Sequence, residues 1–153
     1  MTGPSAIACR RWPSAIGEAA EPLLALYRAA FDQADDAYLL SRLTHMADPM
    51  LWIAEDAGGW VGFKLGYRRG VTLLYSWLGG VHPRVRGQGI ASALMVRQHE
   101  AALGEGYTHV ETRTRAANNA MLMLNLRHGF QICGYEVDAR GNPVVTQRKG
   151  LTA

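Results

Sequence analysis

Arg84, Arg86, Gly87 and Gly89 fall within six residues, in "VHPRVRGQGIASALM" (residues 81–95). An apolar run stops before them at His82-Pro83, and an apolar, alanine-containing segment follows. A helix that begins at such a loop presents about four unpaired N–H groups and roughly half a positive charge, which suits a phosphate. Glycines let a ligand approach the backbone closely. The two arginines can add charge-assisted hydrogen bonds at the rim. The chemistry this spacing allows is a pyrophosphate cradle, and the plainer alternative is a chain reversal with solvated arginines.

Two phosphate motifs do not fit. A P-loop needs Lys-Ser/Thr after its second glycine, where Ile90-Ala91 stand. A dinucleotide fingerprint forced onto Gly87, Gly89 and Ser92 needs an acidic residue ending the next strand, and that strand ends in "TRTR".

The elements that must hold this loop follow from periodicity. Residues 5–12 read as a first strand (β1). Residues 15–33, with Leu23, Leu26, Tyr27 and Ala30 at helical spacing, predict helix α1, and residues 35–48 predict α2. Residues 50–56, 61–69 and 71–81 predict an antiparallel meander β2–β3–β4, its first turn at "AGGW". Residues 90–103 predict α3, ended by Gly104 and Gly106; residues 107–115 predict β5; residues 118–128 predict α4, with Asn118 or Asn119 as N-cap. Two strands, 130–140 (β6) and 143–151 (β7), meet at the hairpin "ARGN". The order is that of one α/β domain over residues 1–153, with a mostly antiparallel sheet and β4 parallel to β5 across the α3 crossover.

Composition narrows the function classes. The chain has 153 residues, 48% of them hydrophobic and 19% charged, as in an ordinary globular protein. A net charge of +3 with only two lysines, Lys64 and Lys149, does not make a nucleic-acid stripe. Cys9 and Cys133 are in no metal-like spacing, so no metal site is expected and a reducing compartment is. No long apolar run follows Arg10-Arg11, and "EPLLALYRAAF" is too short and too charged to span a membrane, so the expected location is cytoplasmic.

Residues 79–91, "GGVHPRVRGQGIA", resemble the acyl-CoA-binding motif of the GNAT superfamily of N-acyltransferases, whose Gln/Arg-x-x-Gly-x-Gly/Ala pattern is met by Arg84, Gly87 and Gly89. Residues 118–130, "NNAMLMLNLRHGF", are similar to that family's Asn…helix…Gly-Phe segment, and the element order fits throughout. The resemblance implies a sheet splayed between β4 and β5 and flanked by helices, with acetyl-CoA in the gap. It implies that Gly79, Gly80 and Val81 pair with the pantetheine arm. Amides of Arg86, Gly87, Gln88, Gly89, Ile90 and Ala91, with Arg84 at the rim, would hold the pyrophosphate, and Asn118 and Asn125 would contact the cofactor from the other side. It further implies direct transfer to an amine, with an oxyanion stabilised by a β4 amide, and dimers are common in similar proteins.

Two positions depart from the commoner family pattern. Asn125 stands where many relatives carry a tyrosine acid; it can donate a hydrogen bond but no titrating proton. Strand alternation puts Tyr75, Trp77, Gly79 and Val81 on one face of β4, with Tyr75 near the place of the histone-directed branch's glutamate base. A phenol is a poor base at neutral pH. Deprotonating a lysine-like amine of pKa about 10.4 costs roughly 4–5 kcal/mol at pH 7, against about 1 for an α-amino group near 7.8. The expected acceptor is therefore a small-molecule or N-terminal amine, its pocket shaped by the α1–α2 segment and the β6–β7 hairpin. A lysine acetyltransferase and a non-catalytic acyl-CoA sensor are the alternatives. Tyr75 and Asn125 are the catalytic candidates; Glu55, Glu111 and His82 are further proton-transfer candidates, each with a simpler structural reading.

Overall fold

The computed structural model describes residues 6–152; residues 1–5 and 153, which include the start of the expected first strand, lie outside them. Seven strands form one sheet in the order β1-β2-β3-β4-β5-β7-β6: β1 Ala8–Arg11, β2 Met50–Asp56, β3 Gly59–Gly70, β4 Leu73–Val81, β5 His109–Arg115, β6 Gln131–Val137 and β7 Pro143–Gly150. All neighbouring pairs are antiparallel except β4–β5, joined in parallel through α3 (Ile90–Gly104), as the crossover rule requires.

Helices cover both faces. α1 (Ala20–Ala30) and α2 (Asp36–Thr44) bury Leu23, Leu26, Leu39 and Leu43 against Leu51, Ile53, Phe63 and Leu65. α3 buries Ile90 and Leu94 against Ala54 and Val61, and Met95 against Met50, Leu74 and Val110. Both faces of the central strands are thus buried, so their apolar residues run on without strict alternation. α4 (Asn119–Arg127) completes the α3 side, where Ser92 Oγ and His128 Nε2 meet at 2.6 Å. No helix among the described residues is long and apolar enough to cross a membrane.

Three expectations change. α1 is shorter than 15–33: a 3-10 turn over Ile16–Ala19 precedes it, and Phe31 turns extended to pack its ring 5.2 Å from Tyr27. α2 stops at Thr44 rather than 48, because the chain reverses through Asp48 at φ 47° before β2. The single face of β4 is broken by a bulge: Leu65 pairs with Leu78 and Gly66 with Ser76, leaving Trp77 as the extra residue. Trp77 and Leu78 both pack toward α1 and α2, whereas Gly79 turns toward Lys64 and Val81 toward the α3 side. Tyr75 and Trp77 therefore do not share a face with Gly79 and Val81. A bulge has no signal in a strand of such mixed apolar residues.

Candidate functional site

The glycine loop is built by backbone conformation more than by close contact. His82 Nδ1 accepts from the Arg84 amide at 3.2 Å and caps a 3-10 turn over Pro83–Val85. Gly87 and Gly89 then take φ of 80° and 77°, which L-residues with a side chain adopt only at a cost. Gly89 is the N-cap of α3, with no side chain bonded to the exposed amides of the first turn. A Cβ on either glycine would meet nothing within 4 Å. The open surface forms one wall of a cavity of about 320 Å³, closed opposite by Asn118, Met121 and Leu124.

The two arginines differ. Arg86 lines this cavity while its guanidinium holds Val81 O at 3.2 Å and Ala30 O at 3.0 Å, tying the loop to the C-terminus of α1. Arg84 turns away and makes a bidentate pair with Asp56 at 2.8 and 3.0 Å, holding that carboxyl below its usual range. Gln88 is exposed, and Ile90 and Ala91 line the cavity from the first turn.

Beyond the cradle the sheet opens. β4 and β5 pair only at Leu73–His109, Leu74–Val110 and Tyr75–Glu111, and Thr112 Oγ1 donates to Ser76 O at 2.8 Å. β5 then follows β7 as far as Arg115, while among the described residues no strand lies beside Trp77–Val81 on the β5 side. The gap is a cleft of about 500 Å³, walled by Trp77, Leu78 and Gly79 on one side and Thr112 to Arg115 on the other. A narrow apolar passage of about 90 Å³ connects it to the cradle: Gly79, Lys64 and Met121 line both cleft and passage, and Val81, Ala91, Met121 and Leu124 line both passage and cradle. Glycine at position 80 is required sterically, since a Cβ there would lie 3.0–3.2 Å from Ala30, Phe31 and Phe63.

Asn118 lines both ends; its Oδ1 accepts from the Met121 amide at 3.2 Å and starts α4. Asn125 is the buried residue of α4 and lines the cleft. Gln147 Nε2 donates to Leu122 O at 3.3 Å, so its Oε1 accepts from Asn125 Nδ2 at 2.8 Å. Met123 and Leu126 on the same helix are about half exposed.

The other candidates are placed elsewhere. Tyr75 lines none of these cavities: its ring packs 5.4 Å from Tyr67 and under the Arg69 guanidinium, and burial pushes its phenol up. Glu55 pairs with Arg10 at 2.6 Å, and Glu111 with Arg148 at 2.7 Å and Arg69 at 3.8 Å. In place of these, the cleft is lined by charged groups that the sequence did not single out as site residues: Asp32, Lys64, Arg113, Arg115 and Arg140. Asp32 lines it just past the C-terminus of α1, where a cation is also favoured by the helix dipole. Lys64, partly buried in β3, lines both cleft and passage, and burial lowers its ammonium from 10.5 to about 8 with no acidic partner contributing. The available signal was one lysine inside the otherwise apolar "VGFKLG" of a central strand.

A mixed sheet that opens beyond its one parallel pair, with a left-handed glycine loop at the N-terminus of the crossover helix, is the architecture of an acyltransferase fold. The chain belongs to the GNAT family: residues 47–132 match the family model described as an acetyltransferase (GNAT) domain. Its structure is similar to the ribosomal-protein-S18-alanine N-acetyltransferase from Escherichia coli, with a TM-score of 0.81 and 12% identity over 97% of this chain and 96% of that one. It is also similar to Ard1 from Thermoplasma volcanium (TM-score 0.79, 19% identity, 97% of this chain and 99% of that one). A third likeness is to the IAA acetyltransferase from Bacillus cereus ATCC 14579 (TM-score 0.79, 17% identity, 95% of this chain and 100% of that one). At these identities the likeness establishes the fold. No curated protein sequence matches the chain.

Proposed function

We propose that the protein is an N-acetyltransferase that moves the acetyl group of acetyl-CoA directly to a primary amine of a small molecule or a protein N-terminus. The observation that carries this reading is the shared lining of cradle, passage and cleft from Gly89 to Asn125. The fit is chemical as well as spatial. Uncapped amides of α3 and the open faces of Gly87 and Gly89 suit a pyrophosphate, the apolar passage suits a pantetheine arm, and the free edge of β4 suits its amides.

Acetyl-CoA supplies an activated thioester as co-substrate. The chain's part is to bind and orient it. Arg86, Gly87, Gly89, Ile90 and Ala91 hold the phosphates, Gly79 to Val81 align the arm, and an amide of the free β4 edge stabilises the oxyanion. Asn118 and Asn125 close the α4 side. Tyr27, Phe31, Asp32 and Gln33 form the opposite wall together with Arg140 of the β6–β7 hairpin, and Asp32 draws a cationic amine toward the cleft. Glu55 and Glu111 are spent in ion pairs, so an acceptor of low pKa needs the least help in losing its proton.

The test is acetyl-CoA consumption with a panel of α-amino and ε-amino acceptors across pH. Turnover that rises as the acceptor amine loses its proton, favours α-amines and disappears in Gly89→Trp with the fold intact supports the reading. Tight binding with no turnover on any amine makes the protein a sensor instead. Self-association is part of the same proposal. The edge strand β6 exposes Ile132, Tyr135 and Val137, and sedimentation of wild type against Tyr135→Lys reads whether that edge pairs copies.

A further inference from the structure

We propose that Lys64 is the proton donor of the cleft, delivering its ammonium proton to the sulfur that departs from the acyl carbon. The inference rests on the acyl-transfer reading and adds a residue to it.

Geometry places the group. Lys64 has Trp52 and Gly79 as its cross-strand neighbours on β2 and β4. Because Gly79 has no side chain, the lysine crosses beneath β4: a Cβ on Gly79 would lie 3.7 Å from Lys64 Cγ and 3.8 Å from Nζ. Lys64 thereby lines the cleft exactly where the narrow passage opens, beside Gly79 and Met121. A chain threaded from the cradle through the passage brings its terminal atoms to that point.

The surroundings leave the ammonium available. The titratable groups packed on the α3 side are His99 on α3, His128 at the end of α4 and Lys149 on β7; both histidines are lowered first by burial and then by the charges of Lys149 and Lys64. Asp32 belongs to the far wall, where the acceptor enters. Among the described residues, four side chains on the same side of the sheet carry buried polar atoms without a protein partner: Trp52 Nε1, Ser76 Oγ, the Gln98 amide and His99 Nε2. Gln98 Nε2 lies 3.1 Å from where a Cβ of Gly66 would be, and Gly66 is the cross-strand partner of Ser76. Unsatisfied polar atoms are uncommon in a folded interior, and functional sites are where they persist.

The step balances without a further reagent. The acceptor nitrogen forms a bond to the acyl carbon and the C–S bond breaks, its electron pair leaving on sulfur. Lys64 gives a proton to sulfur, making the thiol. The proton shed by nitrogen returns to neutral Lys64 directly or through solvent in the open cleft. An ammonium lowered toward the range of a thiol, about 8.5, transfers a proton with little thermodynamic cost. It thereby fills the role that Asn125 cannot.

With only two lysines, ¹³C-lysine labelling gives two side-chain signals, and Lys149→Gln assigns them. Titration of the folded protein is expected to show a Lys64 midpoint near 8. Bound CoA should raise that midpoint by about one pH unit or more over bound desulfo-CoA, because only CoA places a thiolate beside the ammonium. Equal midpoints in the two complexes overturn the assignment. Lys64→Met should bind acetyl-CoA as wild type does, lose about 100-fold in kcat and lose the alkaline limb of the pH profile, with no rescue by Lys64→Arg. Wild-type kcat and profile in Lys64→Met overturn the lysine's role while leaving acyl transfer standing. Acetylated Lys64 in the intact mass after turnover overturns it too, since the amine would then be a nucleophile. Wild type that binds no acetyl-CoA removes the underlying reading.

Discussion

Replacing Gly89 by alanine separates the two demands on that residue. The first is conformational: φ of 77° costs a residue with a Cβ about 1–2 kcal/mol. The second is spatial, because the missing Cβ leaves the cradle surface open, with no atom within 4 Å. Gly106, just past α3, has φ of 91° and equally open surroundings, but lines none of the three connected cavities. Gly89→Ala and Gly106→Ala should therefore lower Tm similarly, by roughly 2–8 °C for a chain of this size. Their ligand binding should diverge. The new methyl group in the cradle displaces a charge-assisted contact worth about 1.5–3 kcal/mol, so Gly89→Ala should weaken CoA binding about 10- to 150-fold, while Gly106→Ala leaves it unchanged. Thermal melting and calorimetric titration with CoA read the two effects. Equal CoA affinity in the two variants, at equal Tm, would refute the placement of the pyrophosphate at the α3 N-terminus.

Further outcomes follow from the charged groups. The unfolded chain keeps the Lys64 proton up to about pH 10.5 and the folded chain only to about 8, so the wild type gains stability as pH rises between these values. Lys64→Met should thus be stabilised by about 3 kcal/mol at pH 7 in urea unfolding, with the gain gone above pH 10.5. His99, buried beside the Lys149 ammonium at 3.0 Å, is lowered to about 3, so it must take up a proton on unfolding below pH 6.5. Stability should fall from pH 6.5 toward 3, and His99→Gln should flatten that slope in acid titrations followed by circular dichroism. Arg84→Ala should lower Tm through loss of the Asp56 pair and leave CoA affinity near wild type, whereas Arg86→Ala should weaken CoA binding; calorimetry on both variants checks the order.

The glycine loop's place and backbone form were legible in sequence because their signal is local. Gly87 and Gly89 sit at a helix start, and a left-handed φ with no competing side chain is a property of those residues alone. The parallel β4–β5 pair was likewise legible, since a helix between two strands forces it. What sequence did not show depends on the third dimension. Arg84 and Arg86 look alike in the motif, yet Asp56 on another strand captures one and the Ala30 carbonyl holds the other. Tyr75 was placed by counting along β4, and the bulge at Trp77 breaks that count. Asn125 sits among apolar neighbours, but the buried amide of Gln147, 22 residues away, turns it inward while Met123 and Leu126 face outward. Lys64 becomes distinctive only when Gly79 is seen to let it pass under β4 into the cleft.

Calorimetric titration of the folded protein with acetyl-CoA tests the central claim most directly. Saturable one-to-one binding, lost in Gly89→Trp with the fold intact, is the result the account predicts. Folded wild-type protein that gives no binding heat with either acetyl-CoA or CoA at any temperature tried would contradict it.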